Sequence, residues 1–281
     1  MSIGVLVTVH DGLVLAADSA STLTLSGVPT QPGPVALNVY NNANKITNLV
    51  KGEPIGCVGF GSGSIGTASF STLLKDFRHL LSEGIGDARL NRNAYSIEEV
   101  ANKLREFLDE EVAKLSQTEP KPSIGIMLGG YSKGATLGEA WELSIQNGVS
   151  TSLQRIRQQG DVGINWGGQQ EAISRLVHGV SPRLAGELVK LVRPAPQPDQ
   201  ITQLVSSLQL ALQAPLAFAP MPIQDAIELA EWLVHTTEMF SRFMPGPQSV
   251  GGPIEIAAIT KYEGFKWVRR KHYYDSSLNP E

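Results

Sequence analysis

Stretches with strand character and stretches with helix character fall in separate blocks along this chain of 281 residues, and that ordering limits the fold more than any single motif does. Ile3 to Val9, a His10-Asp11-Gly12 turn and Leu13 to Ala17 read as a hairpin, because Asp-Gly supplies the positive φ angles of tight hairpin turns. Residues 27–42, rich in Gly, Pro and Asn, read as a loop, and Lys45 to Leu49 and Ile55 to Phe60 as short strands. Two amphipathic helices follow, Thr67 to Leu81 and Ile97 to Leu115, the second opened by a Ser96/Glu99 capping-box spacing. Strands return at Ser123 to Leu128, Ala135 to Ile145 and Thr151 to Ile156. After Val162 to Gly168 comes a helix from Gln169 to Val177, then a Pro-interrupted, mostly helical stretch over 181–220 and a helix from Pro222 to Phe240. Ile254 to Thr260 and Phe265 to Arg270 are the last strands, turned at Glu263-Gly264. Segregated runs of this kind predict an α+β fold, not an alternating β-α-β one.

The ordering also decides between two readings of the stretch IGCVGFGSGSIG at 55–66. Gly61, Gly63 and Gly66 have the spacing that cradles a dinucleotide pyrophosphate. A dinucleotide unit needs a second parallel strand after the helix, with an acidic residue about 20 positions past the glycines. Here a second helix arrives instead, so no nicotinamide cofactor is expected. Composition excludes other classes. A net charge of -4 gives no pull towards nucleic acid or an anionic membrane, and no apolar run is long enough to span a bilayer. The five histidines are scattered, without metal-ligand spacing, so no metal is expected. The single cysteine, Cys57, lies in an apolar run and reads as a buried, inert thiol. The opening MSIGVLVTVHDG lacks the basic start of a secretory signal, which fits a cytoplasmic location.

The front end carries the chemistry. Met1 is followed by the small Ser2, a usual setting for methionine removal. Removal would leave Ser2 with a free α-amine beside its own hydroxyl. An α-amine has an ordinary pKa of about 7.7–8.0, so part of it is neutral near pH 7 and can take the hydroxyl proton. Nucleophile and base then reside in one residue, a variant of the Ser–His–Asp logic. Read alone, Ser2 is simply the residue that lets methionine leave, Asp18 a turn residue and Lys45 a solvated charge.

Taken together, these residues have the order of a known pattern. A small nucleophile, a strand, a turn with Gly, Leu15-Ala16-Ala17-Asp18, and then Asn44-Lys45-Ile46 resemble the start of a proteasome β-subunit or its bacterial relatives among the N-terminal-nucleophile hydrolases. The resemblance extends through Ile164-Asn165-Trp166-Gly167-Gly168, through Asp225 to Ala230, and through Ser249-Val250-Gly251-Gly252-Pro253-Ile254. It covers most of the chain apart from 27–42 and 181–220, which read as a loop insertion and a helical insertion within one domain. The resemblance implies a four-layer αββα sandwich and four catalytic residues. Ser2 is the nucleophile and base, Lys45 the charge that keeps the amine neutral, Asp18 the residue orienting Lys45, and Gly61, with Gly59 as the register alternative, the N–H donor to the oxyanion. It also implies a first specificity pocket lined by Ser21, Ala43, Gly59 and Gly63.

The chain departs from the pattern in two places. Trp166 stands where the family usually has a serine near the nucleophile, and Gly246, Pro247 and Gln248 offer no aspartate before Ser249. The expected function is hydrolysis of an amide bond, in a peptide, by the N-terminal serine of a homo-oligomer. A noncatalytic proteasome-like subunit and an acylase of a small amide remain as alternatives. No unfoldase partner can be named from the sequence.

Overall fold

The computed structural model describes residues 2–25, 35–192, 197–246 and 248–271. Met1, residues 27–34 of the expected loop, His272 and the tail 275–281 lie outside the described residues. The chain opens with β1 (Ile3–Val9), β2 (Gly12–Ala17), β3 (Ser21–Leu25), β4 (Val35–Tyr40), β5 (Ile46–Asn48) and β6 (Ile55–Gly61). Next come the two-residue strands β7 (Ser64–Ile65) and β8 (Ala68–Ser69), then α1 (Phe70–Glu83) and α2 (Ile97–Ala113). β9 (Ile124–Gly130), β10 (Glu139–Gln146), β11 (Val149–Ser150), β12 (Gln154–Arg157) and β13 (Gly163–Gly168) follow. The chain continues with α3 (Glu171–Val177), α4 (Leu184–Leu191), α5 (Pro198–Leu212), α6 (Ile223–Arg242), β14 (Glu255–Thr260) and β15 (Gly264–Arg269).

Two sheets dominate. One runs β13-β1-β2-β14-β15 and the other β11-β10-β9-β6-β5, with β12 added beside β10. Every strand pair among the described residues is antiparallel. The fold is α+β, as the segregated blocks predict.

Alternation along β1 and β2 explains how the layers meet. Val5, Val7, Val14 and Ala16 pack with Ile173 of α3 and with Ala230, Leu233 and Val234 of α6. Leu6, Leu13, Leu15 and Ala17 face the other way, towards Val58 and Met127 of the second sheet. The outer side of that second sheet, with Cys57, Ile126 and Leu143, packs under Leu74 and Phe77 of α1 and Leu104 and Leu108 of α2. Both faces of β1 and β2 are therefore buried, and their sequences are apolar almost throughout. Cys57 is buried, and that burial pushes its thiol pKa up.

Three local expectations are corrected. Gly12 does not turn the first hairpin: its φ is not positive, and it already belongs to β2, opposite Val9. A Cβ at Gly12 would lie 2.5 Å from the Ile259 carbonyl oxygen, so the glycine permits the close approach of β14. The tight turn with positive φ lies elsewhere, at Asn147 (φ 49) and Gly148 (φ 77) between β10 and β11. Part of the 27–42 stretch is not loop, since Val35–Tyr40 pairs with Ser21–Leu25 as a ribbon. The first helix starts at Phe70, not Thr67. Ser69 caps it, its hydroxyl accepting from the Thr72 N–H, worth about 1 kcal/mol. The chain before it is occupied by the β7–β8 hairpin.

Candidate active site

Ser2 sits one residue before β1, against the end of β13. The Gln169 N–H donates to its carbonyl oxygen (2.7 Å), and the next residue, Ile3, pairs with Gly168. The Ile3 N–H in turn donates to Asp18 Oδ1 (2.9 Å). Ser2 is thus held from both sides, and it is only 3 % exposed. Its hydroxyl receives the Gly61 N–H at 2.9 Å. The donor therefore points at Oγ, next to where an oxyanion would form if Ser2 attacked a carbonyl.

Gly61 ends β6 with φ +97, a conformation that favours glycine. A side chain there would not reach into the space beside Ser2. A Cβ would lie 2.4 Å from the Ser123 carbonyl oxygen, on the strand edge beyond. The glycine is required by that contact and by its φ.

Asp18 is a structural junction as well as a charge. Its Oδ1 accepts from Ile3 N–H and from Lys45 Nζ (2.5 Å). Its Oδ2 accepts from Ala20 N–H (3.0 Å) and Gly251 N–H (3.1 Å). One carboxylate therefore ties the chain start, the β2–β3 connection, the Lys45 segment and the 249–253 loop together. Lys45 is 7 % exposed. Burial holds its pKa below the ordinary lysine value, while the charge of Asp18 and the hydrogen bond to it pull it back up. An ammonium whose proton is loosened by burial and anchored by one carboxylate suits the neighbourhood of a proton-transferring group.

These residues open onto one cavity of about 1180 Å³. Its lining includes Ser2, Lys45 and Gly61 and all four residues expected of the specificity pocket, Ser21, Ala43, Gly59 and Gly63. Asp18 does not line it and acts from behind Lys45. At Gly59 the Phe70 ring lies where a side chain would go, with a built Cβ 2.3 Å from the ring, so that wall is aromatic and not open.

Several neighbours are not those the sequence reading expects. Gln169, not Trp166, comes next to Ser2. Trp166 lies against His178, ring centroids 4.9 Å apart and planes tilted by 50°, and packs on the helix side of its sheet. The basic run at 269–272 reads in sequence as a solvated strand end. Lys271, however, has a side chain only 8 % exposed and pairs with Glu255 (3.1 Å). Its Nζ also donates to Ser19 Oγ and to the Ala43 carbonyl (2.8 Å). Burial holds the Lys271 pKa below the ordinary lysine range, opposed by the Glu255 charge. The one available signal was Glu255 at the head of an apolar strand, a charge that demands a buried partner. Ser249 Oγ and Asn165 Oδ1 are buried, and neither has a hydrogen-bond partner among the described residues.

No protein-family model matches the chain, and no curated protein matches its sequence. Its fold is similar to that of a solved structure, the Anbu (Gly-1) mutant from Hyphomicrobium sp. strain MC1, with a TM-score of 0.54. The two are 14% identical over 96% of this chain and 86% of that one, so what they share is the fold.

Proposed function

We propose that the chain is an amide-bond hydrolase acting on peptides, with Ser2 as its N-terminal nucleophile once Met1 is removed. The observation that carries this reading is the Gly61 N–H donating to Ser2 Oγ beside the buried Asp18–Lys45 pair, at one cavity. The likeness to Anbu, a bacterial protein of the proteasome-like kind, supports it at the level of fold. The reading includes a four-layer helix–sheet–sheet–helix arrangement in one domain, supported by the three separate cores. It also includes a homo-oligomer working in the cytoplasm.

In this reading the Ser2 amine takes the hydroxyl proton as Oγ bonds to the substrate carbonyl carbon. The oxyanion accepts from the Gly61 N–H. The proton passes from the amine to the leaving nitrogen as the C–N bond breaks, leaving an ester on Ser2. Water then adds to that ester, the amine takes the water's proton and returns it to Oγ, and the acid departs. The positive Lys45 beside the site favours the neutral amine, and Asp18 fixes where that charge sits.

The test is chemical. A peptide epoxyketone closes a ring onto a hydroxyl and an amine on the same residue. Natively expressed protein should lack Met1 by intact mass and carry one adduct at Ser2. Ser2→Ala should fold but lose both adduct and turnover, and Ser2→Thr should keep both. Retained Met1, or hydrolysis by Ser2→Ala at the wild-type rate, would replace this reading with a noncatalytic, structural role.

A further inference from the structure

The cavity at Ser2 is walled mainly by glycines, hydroxyl side chains and the rings of Phe60 and Phe70. The ionisable side chains among its lining are Lys45, Lys75, Arg270 and Lys271, all cations, and among the described residues no carboxylate lines it. This local excess runs against a chain whose net charge is -4.

Two of the four charges are answered from behind, Lys45 by Asp18 and Lys271 by Glu255. The other two have no carboxylate partner among the described residues. Lys75 stands on α1, nearly two turns beyond the Ser69 cap. Arg270 follows β15, its guanidinium 4.9 Å from the Trp267 ring centre, which holds it over a flat face. A third cation reinforces them. Arg78 lies one turn further along α1, and both burial and the Arg270 charge hold its pKa below the ordinary arginine value. Like charges gathered around a half-enclosed space raise one another's energy, and an anion entering that space relieves all of them.

We propose that this cavity selects substrates carrying an acidic side chain, aspartate or glutamate, on the acyl side of the scissile amide, with Lys75 and Arg270 receiving the carboxylate. The inference rests on the hydrolase reading for the word scissile, but not for the anion preference itself. A carboxylate held by two cations in a partly desolvated site forms charge-assisted hydrogen bonds, and the neutral amide of glutamine forms weaker ones to the same donors.

The preference can be read without turnover. Calorimetry on the Ser2→Ala chain compares two capped peptides that differ only in Glu or Gln at the chosen residue. The Glu peptide should bind on the order of tenfold tighter, and high salt should erode the difference. Lys75→Glu combined with Arg270→Glu should reverse the order in favour of a Lys peptide, with thermal unfolding unchanged because both side chains are exposed. Equal binding of Glu and Gln peptides, binding of neither, or a Glu preference that survives the double substitution overturns the proposal. Turnover by the unaltered chain is scored separately on fluorogenic amides with Glu, Gln, Leu or Lys before the fluorophore. Hydrolysis without a Glu preference also overturns it. A Glu preference in binding with no hydrolysis and no Ser2 adduct overturns the hydrolase reading and leaves the anion site standing.

Discussion

At the scale of single residues, Asp18 and Lys45 form one ion pair but do different work. Lys45 makes one bond to the carboxylate, whereas three backbone N–H groups depend on that same carboxylate. Asp18→Asn turns an NH₂ towards donors and leaves buried N–H groups unmet, so it should destabilise the fold by about 2–5 kcal/mol. Lys45→Met removes a charge but leaves those N–H bonds in place, and should lower the melting temperature much less. Thermal unfolding of the two variants checks the order; a larger loss for Lys45→Met would overturn it. Lys45→Met should also move the rise of kcat/KM with pH to higher pH, because the neighbouring positive charge no longer favours the neutral amine. At Gly61, alanine alone should suffice to cripple the protein, since its Cβ meets the Ser123 carbonyl and its φ is +97. The expected sign is a lower denaturant midpoint together with lost turnover.

Legibility in the sequence differed from residue to residue for physical reasons. Ser2, Lys45 and Gly61 follow a pattern of order and spacing, and the fold brings all three to one cavity. Lys271 and Gly251 are close in space but far in sequence from Ser19 and Asp18. Their pairing depends on β14 entering between β2 and β15, which no local pattern encodes. Trp166 was misassigned because an antiparallel register, not a motif, decides which residue lies next to Ser2.

At the scale of elements, strand bounds were readable where burial forces apolar runs, as in β1, Ile3–Val9. They were unreadable where pairing is a ribbon outside the main sheets, as in β3 and β4. The β13–α3 junction offers a pH test. Burial holds the His178 pKa below its ordinary value of 6.5 against Trp166. Well above 6.5 the ring is neutral whether the chain is folded or not. As pH falls through 6.5 the unfolded chain binds the proton first, so stability is lost from there down towards the folded-state pKa. His178→Phe should keep the aromatic contact and flatten the fall in urea midpoint between about pH 7 and about pH 5.5. An unchanged slope would show that the ring does not carry the effect. At the end of β15, Lys271→Met should strand Glu255 as an unpaired buried carboxylate and cost about 3–5 kcal/mol. Glu255→Gln in the same chain should restore much of the loss.

At the scale of the whole molecule, α4 buries none of its residues and α5 buries Ile201. Leu191, Leu204, Leu210 and Leu212 are exposed. The homo-oligomer proposed above would cover such leucines. Light scattering at micromolar concentration should give a mass above that of one chain, and Leu210→Ser with Leu212→Ser should lower it. A stable monomer in the unsubstituted protein would remove oligomerisation from the reading.

The bond from Gly251 N–H to Asp18 spans 233 residues, and β14 fills the open edge of β2 over a similar distance. A ribosome adding about 5–20 residues per second needs tens of seconds to bridge that gap. Until β13 and then β14 are made, the outer edges of β1 and β2 have no partner strands, and Asp18 lacks one of its donors until residue 251 is made. The nascent chain cannot finish the cavity at Ser2 until Arg270 and Lys271, which follow the last strand, have emerged. The same delay is a hazard, because an uncovered strand edge invites pairing with another chain. Fragments released before residue 251 should therefore be found in aggregates, inert, while the full-length chain stays in solution.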